Sequence, residues 1–200
     1  MGIFNYKPAI LMYHTISYDC QFIYSNVTPA KFESHLKWFI NNQFEFSSMD
    51  QLLEYDNKFI KNNNKNIIIT FDDGYKDNLT NAIPLLEKYN APAIIYITTD
   101  FINTGIGPKN QKMLTWDDLK YLCNHPLISI GGHTHMHKQL GKTNINDAYE
   151  DIKLGSDILN DKLGISLKHF SYPKGSFNKE TIKIVEDIGF KSSVTVEPGL

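Results

Sequence analysis

The chain contains no arginine: all 20 of its basic residues are lysines. The planar fork that grips carboxylates and phosphates in two places is therefore missing throughout. Basic residues do not outnumber the 22 acidic ones, and a formal charge of −2 leaves no surplus to hold a nucleic-acid backbone. Cysteine is nearly as scarce. Cys20 and Cys123 are too few for a disulfide framework and match no metal-binding spacing, so both read as ordinary thiols. No apolar run approaches the roughly 18 residues of a membrane span, and the N-terminus lacks a basic stretch followed by a sustained apolar one. As written, the sequence predicts a cytoplasmic protein, or a periplasmic or extracellular one if its N-terminus is trimmed.

What remains, 200 residues with 42% hydrophobic content, suits one globular domain over residues 1–200. Apolar runs and amphipathic segments alternate along it. Strands are predicted at Pro8–Tyr13, Ile67–Phe71, Ala93–Thr98, Leu127–Ile130, from Phe170, and at Ser192–Val196. Between them lie helical patterns. Thr28-Pro29 caps a helix with Phe32, Leu36, Phe39 and Ile40 inward, and a short helix near Ser48 turns Leu52 and Leu53 inward. Further helices run over Asn78–Tyr89, from Thr115 to Leu122, over Ile145–Leu163 closed by Gly164, and from Asn178 to Gly189. Lys61–Asn66 reads as a polar loop. Repeated strand–helix pairs imply a parallel sheet clothed in helices, either a barrel or an open sheet, with chemistry where strands run into the next helix.

Three strand ends carry reactive residues. Ile67–Phe71 leads straight into Asp72-Asp73-Gly74. Asp-Gly is ordinary turn chemistry, but a metal gives the pair separate tasks: one carboxylate ligates it and the other takes a proton from water. Gly131–His137 holds three of the seven histidines, His133, His135 and His137. In a strand or a helical turn alike, His133 and His137 can converge on one ion. One aspartate and two histidines leave a coordination position open, which describes a catalytic zinc site; the same set also suits non-haem iron. The adjacent second aspartate favours hydrolysis, which needs a base. The third end, Ser171–Gly175, combines Pro173 and Gly175 so that a main-chain amide near Lys174 can face a developing oxyanion.

Thr70–Gly74, His133–His137 with Thr134, and Ser171–Gly175, in that order, resemble the polysaccharide deacetylases of carbohydrate esterase family four. Leu11–Ile16 and the Phe32–Trp38 helix resemble the subgroup that includes poly-N-acetylglucosamine deacetylases. The resemblance implies a distorted (β/α) barrel with fewer than eight complete units. It also implies a divalent metal, usually Zn2+, with Co2+ or Ni2+ as alternatives, and hydrolytic removal of acetyl groups from an N-acetylated, occasionally O-acetylated, polysaccharide or oligosaccharide. Carried over, Asp73, His133 and His137 are metal ligands, and Asp72 is the base for a water activated on the metal. The Lys174 backbone amide becomes the oxyanion donor, and Thr134 supports the histidine loop. Tyr172 and Pro173 wall the substrate groove, with Tyr75 or Trp116 as candidate sugar-stacking faces.

The chain departs from the family in three ways. Ser171 stands where many members carry an arginine that orients the base, and Lys174 stands where an aromatic is usual. The sequence also stops at Pro198-Gly199-Leu200, before the motif that often supplies the general acid, which leaves His14 and His135 as candidates and suggests missing closing elements. A catalytically weak glycan-binding relative of the same fold is the main competing expectation.

Overall fold

The computed structural model describes residues 8–19, 25–54 and 65–197. Cys20, the first residues of the polar Lys61–Asn66 loop, and Pro198–Leu200 lie outside them. Seven strands form one parallel sheet: β1 (Ala9–Tyr13), β2 (Phe44–Phe46), β3 (Lys65–Phe71), β4 (Ala93–Ile97), β5 (Ile128–Gly132), β6 (His169–Ser171) and β7 (Ser192–Val194). Their order is β1-β3-β4-β5-β6-β7, with β2 added alongside the start of β3. Among the described residues no pairing joins β7 to β1, so the curled sheet is a distorted barrel left open at that seam.

Among the described residues seven α-helices accompany the strands: α1 (Pro29–Asn41), α2 (Met49–Glu54), α3 (Ile83–Lys88), α4 (Thr99–Thr104), α5 (Trp116–Cys123), α6 (Ile145–Leu163) and α7 (Lys179–Ile188). Their starts follow local chemistry. Thr28 accepts a hydrogen bond from the Lys31 amide, and Thr115 and Asn178 each make a reciprocal capping box. β3 is buried on both faces because alternate residues serve different layers. Ile67, Ile69 and Phe71 join the main core, whereas Ile68 packs inside the curl with Ile94, Tyr96 and Met49 of α2. The Tyr96 ring explains a glycine in the neighbouring strand: a Cβ on Gly131 would sit 2.4 Å from it.

Several sequence expectations need correcting. Ile40 and Leu53, expected inward, are 44% and 37% exposed because Phe32, Leu36 and Met49 already fill the buried faces of α1 and α2. The Asn78–Tyr89 segment is not one α-helix. Pro84 has no amide to donate, and the chain first winds as a π-turn over Asn78–Ala82, closed by the Ile83 amide on the Asn78 carbonyl, before α3 begins. β7 stops at Val194, short of Val196. Two short elements, β2 and α4, carry too few residues to show periodicity and were not anticipated.

Candidate metal centre

The C-terminal ends of the strands meet on one rim. Tyr13 is in register with Phe71, and Ile97 with Gly132, so the residues following β1, β3, β4 and β5 emerge side by side. Asp72 continues the ladder with its amide donating to the Tyr13 carbonyl at 2.9 Å. The chain then breaks sharply: Asp73 adopts φ 75°, a left-handed conformation that turns its carboxylate toward the histidine loop. Thr134 and His137 are left-handed as well, at φ 66° and 55°, and the Thr134 hydroxyl accepts the His137 amide at 2.9 Å.

These turns bring three ligand types together. Asp73 Oδ1 lies 3.2 Å from His137 Nε2 and 3.5 Å from His133 Nε2. The nearest ligand atoms of all three residues fall within 4.8 Å of one another. Ligand bonds of 2.0–2.2 Å in a tetrahedral site place neighbouring donors about 3.4 Å apart, which the two Asp73 spacings match. The hydrogen bonding sharpens the case. His133 Nδ1 is 2.7 Å from the Ser171 carbonyl, which can only accept, so Nδ1 carries the proton and Nε2 presents a bare lone pair. That lone pair faces Asp73 Oδ1, a buried oxygen whose nearest possible donor among the described residues is His137 Nε2 at 3.2 Å. Acceptor facing acceptor in a dry site is unfavourable unless a cation lies between them.

The protonation states agree. Burial lowers the His133 pKa to about 4, keeping the ring neutral and able to ligate. Burial also works against the charge on Asp73, but the adjoining His137 and His133 rings outweigh it and hold the group at about 2. Asp72 is different. Burial dominates and Asp73 adds repulsion, so that despite the opposing pull of His14 its pKa rises to about 7. Two adjacent carboxylates with separated pKa values suit a fixed ligand beside a group that exchanges protons.

Ser171 answers the missing arginine. Its hydroxyl donates to Asp72 Oδ2 at 3.2 Å while its carbonyl holds His133, so one residue of β6 orients both the expected base and a ligand. Ser171 and Asp72 are 99 positions apart in the chain. In Ser171→Ala the carbonyl contact persists and only the hydroxyl is lost. The expected result is a roughly 10- to 100-fold lower turnover, corresponding to one charged hydrogen bond, with metal affinity unchanged. Parallel loss of both would show that Ser171 acts through the fold.

The remaining predicted residues divide. His14 sits at the rim with its carbonyl held by Asn78 Nδ2 at 2.7 Å and its Nδ1 buried with no hydrogen-bond partner among the described residues, close enough to act electrostatically on both aspartates. His135 is engaged elsewhere: its Nδ1 is 2.7 Å from the Thr99 hydroxyl on α4. Lys174 is left-handed at φ 56°. The next two amides bond inward, Gly175 to the Tyr172 carbonyl and Ser176 to that of Pro173, and neither bond uses the Lys174 amide. Tyr75 is 2% exposed within the main core, which leaves no face for a sugar; this corrects its expected role in substrate binding. Tyr172 is likewise 2% exposed, its ring against Phe170 and Phe177, and Pro173 is buried. Both shape the turn from behind and do not wall a groove. Trp116 packs partly against the core and donates to Asn103 at 3.2 Å.

Sequence reasoning did not anticipate the supports of the rim. The Asp77 carboxylate accepts the Ile16 amide at 3.0 Å, and Asn81 donates to the Ile16 carbonyl at 2.7 Å, fixing the loop that carries His14. Asp151 on α6 accepts amides of the histidine loop. As isolated polar residues on helices these gave no signal in the sequence.

With this rim, the chain belongs to the polysaccharide deacetylases: the family's sequence profile, described as polysaccharide deacetylase, matches residues 60–193. Among its relatives, YxkH of Bacillus subtilis (strain 168), whose name assigns it to the polysaccharide deacetylases, is 33% identical over 96% of this chain and 67% of its own length. The poly-beta-1,6-N-acetyl-D-glucosamine N-deacetylase of Staphylococcus aureus (strain MRSA252) is 28% identical over 86% of this chain and 61% of its length. The chain thus spans about two thirds of these curated relatives. Among solved structures, the Streptococcus pyogenes deacetylase PplD in complex with acetate superposes with a TM-score of 0.79 at 26% identity, covering 95% of this chain and 84% of that one. Among the described residues no helix is long and apolar enough to cross a membrane.

Proposed function

We propose that this chain is a divalent-metal-dependent deacetylase that hydrolyses acetyl groups from N-acetylated sugars of a polysaccharide or its oligosaccharides. The observation that carries this reading is the bare Nε2 of His133 facing the buried Oδ1 of Asp73, with His137 beside them and Asp72 held alongside. Asp73, His133 and His137 hold the ion; zinc fits the set, and cobalt or nickel can replace it. A bound divalent ion supplies Lewis acidity, polarising the acetyl carbonyl and easing the ionisation of water.

The chain's own groups do the rest. Asp72 as carboxylate takes a proton from the attacking water as oxygen bonds to the carbonyl carbon. The Lys174 amide donates to the oxyanion that develops on the acetyl group. His14 protonates the sugar nitrogen as the carbon–nitrogen bond breaks, which releases acetate and a free amine; the partnerless Nδ1 at the rim favours His14 over His135 for this task. The name of the S. aureus relative makes β-1,6-linked N-acetylglucosamine oligomers the first substrate to test. The purified chain loaded with zinc should release acetate from these oligomers, and chelation should abolish the release. Sugar binding without metal-dependent release, from either the oligomers or a small acetyl ester, would sink the enzyme reading in favour of a glycan-binding relative.

A further inference from the structure

The ligand His137 lies on a loop that is not part of any helix or strand, and two of that loop's residues occupy left-handed backbone. Such residues cost about 1–2 kcal/mol each and persist only where the surroundings over-determine them. Part of the restraint is local, from the Thr134 hydroxyl, and part comes from the Thr99 and Asp100 amides on the Thr134 and His135 carbonyls; the amides on either side of His137 are held by one carboxylate. Asp151, 4% exposed on the inner face of α6, accepts the Met136 amide on Oδ1 at 2.6 Å and the Lys138 amide on Oδ2 at 3.4 Å. These two donors flank His137 on either side. The Asp151 carbonyl also receives the His135 amide at 3.0 Å, so one residue bonds three amides of the loop.

One helical turn further on, Gly155 lets the loop seat against α6. A Cβ there would lie 2.6 Å from the Thr134 carbonyl carbon and 2.8 Å from the His135 nitrogen. Opposite α6, the Phe101 ring of α4 stands 5.7 Å from that of His137. The loop is thus clamped between two helices, and among the described residues the charged side chain that bonds its amides is Asp151.

We infer that Asp151 is a positioning residue that pre-sets the two-histidine loop for its ion, with Gly155 providing the seat. The inference rests on the metal-site reading above and adds that the ligand geometry exists before the ion arrives. A buried carboxylate accepting two amides is satisfied in the metal-free protein, so the loop needs no ion to close it.

The test is Asp151→Asn, whose single oxygen can accept one amide while its NH2 confronts the other. Zinc and cobalt affinities are measured by competition with a chelator, together with the cobalt absorption spectrum and the melting curve of the metal-free protein. Metal affinity should fall at least tenfold and the cobalt spectrum should change, at temperatures where the variant is fully folded. A lowered melting temperature with unchanged affinity and spectrum would make Asp151 a merely structural residue and overturn the inference. If the variant does not fold, hydrogen exchange of the unaltered metal-free protein decides. Protected Met136 and Lys138 amides support pre-setting, and amides that exchange freely until metal is added refute it. Wild-type protein that takes up neither ion overturns the site reading itself, whereas equal uptake by wild type and variant overturns only the role of Asp151.

Discussion

Asp72→Asn should lose about 100- to 10,000-fold in turnover while still binding zinc at wild-type stoichiometry. The magnitude is that of removing a positioned general base, and the variant keeps a side chain of the same shape in the Ser171 contact. Steady-state acetate release and equilibrium dialysis with zinc check the two halves separately. Comparable loss of metal would mean that the two aspartates exchange roles. The pH dependence follows from the same group. A base must be a carboxylate, so activity is lost as pH falls through its pKa. In the metal-free chain that value is raised to about 7 by burial, and a neighbouring cation favours the charged form, moving the acid limb of kcat/KM below 7. Whatever activity Asp72→Asn retains should lack that limb.

His137→Ala should weaken zinc binding by more than the 10- to 100-fold that loss of an outer supporting group costs, because it deletes one of the three proposed ligands. Differential scanning calorimetry gives an independent readout. An ion that binds only the folded state raises its stability by RT ln(1 + [L]/Kd), so zinc should raise the melting temperature of the wild type and leave the variant nearly unmoved. An unchanged shift, or an unchanged stoichiometry, would remove His137 from the ligand set. The His137 side chain is 16% exposed at the rim beside Phe101, outside the main core, and the metal-free variant should remain folded.

The two variants separate because the site divides its labour between neighbours in sequence. The same proximity makes the proposed site legible in sequence: Asp72 with Asp73, and His133 with His137, are close in the chain, so their types and spacing survive as motifs that the fold brings together. Most strands were readable for a similar reason, since runs such as Ile67–Phe71 are apolar on both faces. What could not be read joins distant segments. The Ser171 hydroxyl on Asp72 and the Asp151 carboxylate on the histidine loop depend on which strand and helix stand next to which. The aromatic assignments failed differently. Tyr75 and Tyr172 adjoin catalytic motifs, but adjacency in the chain says nothing about which side of the rim a ring occupies, and both point into the core.

The left-handed residues of the rim bear on how this protein can be engineered. Asp73, Thr134, His137 and Lys174 are non-glycine residues at positive φ, and each holds its place at the expense of global stability. A library selected only for heat resistance should therefore find improvements at these positions, glycine foremost, and each such gain removes a proposed ligand, a loop support or the side chain over the proposed oxyanion turn. Selection on this scaffold has to score bound metal together with melting temperature, or it will refine the barrel and erase its chemistry.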